Sequence, residues 1–373
     1  MRSRRAFLGL RPPADDHGDA SAVVVVFLRG GADGLSLVAP VGDPGYRRLR
    51  PTLALEDPID ADGFFAFHPR LSPLVTRYRA GELAVVHAVG SDDQTRSHFE
   101  AQDRMEHAGA SATDVGSGWL ARLVRGLGDP HGGLGAVALG TTTPEALRGA
   151  PSVAVFESAR EHRLGADVGH LASLAALYRA DDALGAAGRD ALATLERLRD
   201  LPAGGAVRYP EGRFAERLRE LARLLRAGVG VRAACVDLDG WDTHFVQADG
   251  FAENVRTLAE GLDAFLEDLG DALGRVTVLV MTEFGRRAYE NGSLGTDHGR
   301  ASCLLAMGAG VRGGRVYGRW PGLAEGALEP PGDLAVTTDY RQVLAELIER
   351  RFGGVDRARV LPGVPSARLG LFT

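Results

Sequence analysis

The sequence predicts an α/β fold with a mostly parallel central sheet and helices on both of its faces. Three observations lead to this class. The chain contains short, continuous apolar runs, which are typical of strands buried on both faces. Segments with helical periodicity separate these runs, as β-α-β connections require. With 373 residues, of which 45% are hydrophobic, the chain is long enough to bury such a sheet in a large core.

The first strand is predicted at Ala22 to Leu28, a β-branched run that leads into a glycine-rich segment. Five more apolar runs predict strands at Leu83 to Val89, Leu134 to Leu139, Arg232 to Leu238, Val276 to Met281 and Cys303 to Met307. Six helices are predicted at Leu71 to Arg79, Phe99 to His107, Trp119 to Leu127, Phe214 to Leu225, Phe251 to Leu269 and Tyr340 to Arg350. Residues 161–228 interrupt the alternation with helical periodicity and no convincing strand, so we predict a helical insert there.

Composition excludes several classes of function. The 43 basic and 49 acidic residues leave a net charge of -6. The chain therefore lacks the excess of basic residues that is typical of a nucleic-acid binder. Every basic residue is arginine, so lysine-based Schiff-base chemistry and the phosphate-gripping lysine of a P-loop are excluded. No run reaches the roughly 20 apolar residues of a membrane span. The two cysteines, Cys235 and Cys303, lie in apolar runs and are predicted to be small buried side chains.

The N-terminus resembles a twin-arginine export signal. Arg4 and Arg5 precede a short apolar stretch, but Arg11 and Pro12 interrupt it before it reaches the length of such a signal. We predict a degenerate signal-like segment over residues 1–20. This favours a cytoplasmic protein, whereas a functional signal would place it in the periplasm or outside the cell.

Candidate functional residues gather at the predicted carboxyl ends of the strands, where open α/β sheets bind their ligands. Five segments supply them: Asp33; Arg96 and Ser97; Asp242 and His244; Glu283 and Arg286; and Asp297 and His298. Carboxylates and imidazoles without thiols suit zinc, manganese or magnesium, and such sets also suit non-haem iron. We therefore predict one or two divalent metal ions, with Asp33, Asp242, His244, Glu283, Asp297 and His298 as the candidate ligands.

Three further residues are predicted to act on a substrate. Ser97 stands at a predicted helix start, where backbone N–H groups attract an anion and where a metal would activate its hydroxyl as a nucleophile. Arg96 and Arg286 flank the motifs and are candidates to hold an oxyanion.

Each of these residues also has a simpler structural interpretation. Asp33 fits a turn, and Ser97 with Glu100 fits a helix capping box. Glu283 fits an ion pair with a following arginine. His87, inside a predicted strand, is interpreted as a core histidine.

The motifs together resemble those of the bacterial DUF1501 family, a domain of unknown function grouped with the alkaline phosphatase superfamily. They are Leu28 to Gly34, Arg96 to Phe99, Gly240 to His244, Glu283 to Arg286, Gly295 to Gly299 and Gly313 to Pro321. The resemblance implies that residues 21–373 form one alkaline-phosphatase-like domain. It also implies two metal sites bridged at a nucleophile, here Ser97. In the resemblance Asp297 is either a ligand or a carboxylate that orients His298.

The resulting prediction is a metal-dependent hydrolase or transferase that acts on a small anionic phosphate or sulfate ester through Ser97. Two alternatives remain open. One is a non-haem iron enzyme with oxidative or biosynthetic chemistry, and the other is a non-catalytic protein that binds an anion or a partner. No oligomeric state is predicted.

Overall fold

The structure is a computed structural model that describes residues 20–109, 116–128, 134–157, 205–364, 366 and 368–373, with isolated residues between 176 and 192. The twin-arginine-like motif lies outside the described residues. So does most of the predicted insert at 161–228, of which only the final part from residue 205 is continuously described.

Twelve strands form two sheets in the described residues. In chain order they are β1 (Ala22–Leu28), β2 (Val38–Ala39), β3 (Ile59–Asp60), β4 (Ala66–Phe67), β5 (Leu83–Gly90), β6 (Gly135–Leu139), β7 (Val153–Phe156), β8 (Val231–Leu238), β9 (Val276–Thr282), β10 (Ser302–Gly308), β11 (Val316–Tyr317) and β12 (Thr338–Asp339). The central sheet has the order β11-β5-β10-β9-β1-β8-β6-β7, with β12 also paired to β5. The small second sheet has the order β2-β4-β3.

The α-helices of the described residues are α1 (Gly34–Leu37), α2 (Gly45–Leu49), α3 (Ser72–Arg79), α4 (His98–His107), α5 (Trp119–Leu127), α6 (Arg213–Arg226), α7 (Gln247–Leu269), α8 (Tyr340–Arg351) and α9 (Arg357–Val360). Helix α6 forms the described end of the predicted insert and packs against α7 and β8. No helix in the described part of the chain is long and apolar enough to cross a membrane.

Side chains alternate between the two faces of the central sheet. On β1, Val24 and Val26 pack in the core beneath α6 and α7, whereas Val23 and Val25 pack in the core beneath α5 and α8. All these side chains are buried because both faces are covered, which explains the continuous apolar run. Cys235 and Cys303 are free and buried, as predicted.

The predicted mostly parallel sheet is confirmed, with one reversal. Strand β10 runs antiparallel to both β5 and β9, and the other pairs of the central sheet are parallel. Strand β10 therefore begins at the edge where its neighbours end. Residues that precede β10 thus meet residues that follow β1, β5, β8 and β9, and this edge gathers the five predicted segments.

Candidate metal centre

The loop after β1 and the loop after β8 are in close backbone contact. Gly30 has φ +121°, and a Cβ atom added there would lie 2.5 Å from the backbone nitrogen of Asp242. Only glycine fits this approach without strain. The contact places Asp242, which follows β8, at the centre of the sheet edge.

Three potential ligand atoms, one oxygen of Asp242 and one nitrogen each of His244 and His298, lie at nearly equal distances from one another. The Nε2 atoms of His244 and His298 are each 3.0 Å from Asp242 Oδ1. The same two nitrogen atoms are 2.9 Å from each other. Two predicted ligands from the segment after β8 and one from the segment before β10 are therefore brought together.

His98 adds a third imidazole that the sequence prediction missed. It is the first residue of α4, and its Nε2 atom lies 3.5 Å from Asp242 Oδ2. That nitrogen is buried and has no hydrogen-bond partner among the described residues. Ligand atoms of His98, Asp242 and His298 lie within 4.8 Å of one another, an arrangement that can hold a metal ion. The sequence signal was present, because His98 directly follows Ser97 at the predicted helix start.

Each of the three imidazoles has an acceptor behind its other ring nitrogen. His98 Nδ1 is 2.9 Å from Glu283 Oε1, and His298 Nδ1 is 2.9 Å from the backbone oxygen of Arg96. His244 Nδ1 faces Asp297 Oδ1 at 3.6 Å. Such groups fix the tautomer and orientation of metal-binding histidines.

These contacts determine where the lone pairs lie. Carboxylates and carbonyls accept hydrogen bonds, so they favour the proton on Nδ1 and leave a lone pair on Nε2. In that tautomer the three Nε2 lone pairs face the Asp242 carboxylate, as the ligands of a cation do. Three imidazoles and one carboxylate are a suitable donor set for zinc, manganese or iron.

Charged neighbours keep Asp242 ionised. Although partial burial opposes ionisation, the hydrogen bond and the positive charge of Arg286 hold the pKa of the Asp242 carboxyl well below its usual value. About half of the Asp242 side chain remains exposed (47%), so the cluster is open to solvent on one side.

The structure places Glu283 behind the cluster, although it was predicted as a ligand. Its side chain is fully buried, and Oε1 accepts from His98 Nδ1, from Gln102 Nε2 at 2.8 Å and from the backbone nitrogen of Gly30 at 2.9 Å. Burial opposes ionisation of Glu283, but the bonds from His98 and Gln102 lower the pKa of its carboxyl. Glu283 thus holds His98 rather than facing the site itself.

Arg286 is also buried, although it was predicted to hold an oxyanion. Its guanidinium donates to four backbone carbonyl oxygens, those of Gly30, Gly31, Trp241 and Thr296. It also donates to Asp242 Oδ1 at 2.7 Å. The side chain has no exposed surface, so it joins three loops and orients Asp242 from within the protein.

Asp33 lies apart from the imidazole cluster, in a buried network of its own. It caps α1, and Oδ2 accepts from Arg50, from Ser36 at 2.7 Å and from Gln247 at 2.7 Å. Gln247 in turn accepts from Thr296 Oγ1 at 2.6 Å. The Asp33 carboxylate thereby supports the segment that precedes Asp297 instead of presenting a free oxygen to an ion.

Arg96 reaches the cluster through its backbone. Its side chain bonds to the buried carboxylate of Asp333 at 2.9 Å, so the guanidinium is engaged away from the cluster. Its φ of 54° lies in the left-handed region, a conformation that costs about 1–3 kcal/mol in a residue with a side chain. In this conformation its carbonyl receives the hydrogen bond from His298.

Ser97 stands between Arg96 and His98, and is partly exposed. It occupies the N-cap position of α4, yet its side chain makes no capping hydrogen bond. The expected capping box with Glu100 is therefore not formed.

A second group of potential ligands lies on the surface, where Asp103 and Glu145 flank His107. His107 Nδ1 is 2.9 Å from the backbone oxygen of Asp103, and Glu145 pairs with Arg148 at 3.2 Å. These partners account for the group as a surface ion-pair cluster.

His87, predicted as a core histidine, is buried with Nε2 2.9 Å from the Val38 oxygen.

The chain was compared with curated proteins, with solved structures and with models of protein families. No curated protein matches the sequence significantly. The C-terminal periplasmic domain of EcEptC from Escherichia coli is similar with a TM-score of 0.42 and 10% identity, over 95% of this chain and 90% of that domain. Phosphonate monoester hydrolase of Agrobacterium radiobacter is similar with a TM-score of 0.38 and 10% identity, over 92% and 78% of the two chains.

Alkaline phosphatase from the Antarctic bacterium TAB5 is similar with a TM-score of 0.31 and 11% identity, over 80% of this chain and 95% of that enzyme. At this level the likeness concerns the fold alone. The sequence model described as "Protein of unknown function (DUF1501)" matches residues 20–364, and the chain therefore belongs to the DUF1501 family.

Proposed function

We propose that this protein is a metal-dependent enzyme that hydrolyses or transfers a phosphate or sulfate ester. The observation that carries the proposal is the convergence of His98, His244 and His298 on the Asp242 carboxylate. One divalent ion, held by these four residues, would supply positive charge to the anionic ester group and to its transition state. Mg²⁺ is disfavoured because it prefers oxygen ligands, which leaves zinc, manganese and iron.

The roles of the residues around the cluster follow from their contacts. Glu283 and Asp297 orient His98 and His244, while the Arg96 carbonyl orients His298. Arg286 fixes Asp242. In this proposal Asp33, Arg96 and Arg286 position the site, and they do not touch the substrate.

Ser97 is the proposed nucleophile. Its hydroxyl is not used for helix capping, it is partly exposed, and its neighbours on both sides hold or supply an imidazole of the cluster. The Ser97 oxygen would attack the phosphorus or sulfur atom and displace the alcohol of the ester. Water would then release the anion from the serine.

The test compares Ser97→Ala and Ser97→Thr with the unaltered protein on 4-nitrophenyl phosphate and 4-nitrophenyl sulfate. We expect Ser97→Ala to lose at least about 1,000-fold in kcat, with unchanged metal content, and Ser97→Thr to retain part of the activity. Full activity of Ser97→Ala would contradict the role of Ser97 as nucleophile.

A non-haem iron enzyme is a second candidate, because the donor set of histidines and one carboxylate also suits iron. Iron in the purified protein, together with no turnover of either ester, would favour this candidate over hydrolysis. Stability that a chelator does not change would favour a metal-free binding protein.

A further inference from the structure

The large apolar side chains that are exposed in the described residues all belong to segments that build the metal centre. They are Phe99 (89% exposed), Phe245 (74%), Val246 (62%) and Leu294 (50%). Phe99 directly follows His98, and Phe245 directly follows His244. Leu294 precedes Asp297 in the segment that leads to His298. We name these four side chains the apolar rim.

Two parts of the apolar rim are joined by backbone hydrogen bonds. The Val246 nitrogen donates to the Ser293 oxygen at 2.9 Å, and the Gln247 nitrogen donates to the Leu294 oxygen at 2.9 Å. The Phe245 ring lies 6.4 Å from the His244 ring, measured between centroids. The His98 ring, next to Phe99 in the chain, lies 4.5 Å from the His298 ring. The rim is thus continuous in the chain with three of the four proposed ligands.

Two residues of the rim have a strained backbone conformation. Val246 has φ 42° and Leu294 has φ 59°, both in the left-handed region. A β-branched residue such as Val246 is rarely found there. Strained positions of this kind persist where the surrounding structure enforces them, and they cluster at functional sites.

Exposed apolar side chains beside a polar site are typical of a place where another molecule binds. From its continuity with the ligand segments we infer that the apolar rim receives the organic group of the ester, so that the preferred substrates carry an alkyl or aryl group rather than a sugar or nucleoside. This inference rests on the proposed function. The charged end of such a substrate would face the cluster, and its hydrocarbon part would cover the rim.

The first experiment measures binding without turnover, using butyl-, hexyl- and octylphosphonate and the metal-loaded protein in calorimetry. We expect Kd to fall by about two- to four-fold for each added methylene that the rim covers. In Phe99→Ser/Phe245→Ser this dependence on chain length should largely disappear. Phe99→Leu/Phe245→Leu is the matched control, and it should keep the dependence because it keeps the apolar surface.

The second experiment compares kcat/KM for 1-naphthyl phosphate and glucose 6-phosphate, and for the corresponding sulfates. Turnover with equal kcat/KM for naphthyl and sugar esters, together with phosphonate affinity independent of chain length, would overturn the inference and leave the proposed function intact. Chain-length-dependent binding without any turnover would support the apolar recognition and count against the proposed hydrolysis.

The Phe99→Ser/Phe245→Ser variant also tests whether a second copy of the protein or a lipid surface covers the rim instead of a substrate. Sedimentation would show conversion of a dimer to a monomer if a second copy covers the rim. Flotation with phosphatidylcholine vesicles would show loss of binding if a lipid surface covers it. Either result, with phosphonate affinity independent of chain length, would overturn the inference.

Discussion

The Nε2 atoms of His244 and His298 face each other at 2.9 Å, and both lie 3.0 Å from the same oxygen of Asp242. Two imidazole nitrogens at this distance require a shared proton or a shared cation between them. The Arg96 carbonyl accepts a hydrogen bond from Nδ1 of His298, which in the neutral ring leaves the lone pair on Nε2. In the proposed metal centre, a cation bound by both rings and Asp242 would remove the repulsion between their lone pairs.

Glu283→Gln should weaken metal binding without disrupting the fold. The glutamine oxygen can still accept from His98, Gln102 and Gly30, and its amide can donate to Thr282, so the buried hydrogen bonds persist. The lost negative charge makes His98 a poorer ligand, and we expect metal affinity to fall about 10- to 100-fold. A competition titration with a chelator measures this change, and unaltered affinity would show that Glu283 does not support His98.

Arg286→Met should lower the stability of the protein even when metal is absent. The substitution leaves buried carbonyl oxygens and Asp242 without their donor, which costs about 3–5 kcal/mol in the free energy of unfolding. Urea unfolding in the presence of chelator measures this loss. Arg256→Met is the control, because Arg256 is a partly exposed residue of α7 and its ion pairs with Glu253 and Glu260 add little. Equal stability of the two variants would instead fit the original expectation that Arg286 binds a substrate.

His87 should make the protein sensitive to acid. Burial lowers the pKa of His87 in the folded chain to about 4, from 6.5 in the unfolded chain. Between these values the unfolded chain binds a proton that the folded chain does not, so stability falls as pH falls from about 6.5 to about 4. The expected loss from this residue is about 3 kcal/mol, because each unit of pKa difference corresponds to about 1.4 kcal/mol.

The measurement is the free energy of unfolding in urea at several pH values, with chelator present. His87→Gln should flatten the pH dependence by that amount, since glutamine does not titrate. A slope that is identical with and without the substitution would contradict the buried, neutral state of His87.

Six strands of the central sheet and the six longer helices could be predicted from the sequence, because each of these strands is a largely apolar run. Strands β7, β11 and β12 were not predicted, and β12 is formed by Thr338 and Asp339. The observed bounds of β1 agree with the prediction, and those of β5 and β9 each extend it by one residue. The direction of β10 could not be predicted, since a buried strand has the same apolar pattern in either direction. The short strands of the second sheet, such as β2 and β3, are too brief to leave a periodic pattern.

The candidate site could be predicted as a region but not as a set of roles. Asp33 and Asp242 both follow parallel strands, yet one carboxylate is enclosed by Arg50 and the other is open to the imidazoles. The same residue types serve as ligands and as the groups that hold ligands, so spacing alone does not separate them. Glu283, an expected ligand, lies behind His98 and contacts its Nδ1 atom, whereas His98, to which no role was assigned, faces Asp242.

We propose that His98, Asp242, His244 and His298 form a single metal centre. Elemental analysis of the purified protein is the test, compared with His244→Ala, His298→Ala and the surface control His107→Ala. We expect one zinc, manganese or iron ion per chain, retained in His107→Ala and lost in the other two variants. Metal content that is unchanged in His244→Ala and His298→Ala, or a metal-free protein that takes up no added zinc, manganese or iron, would contradict it.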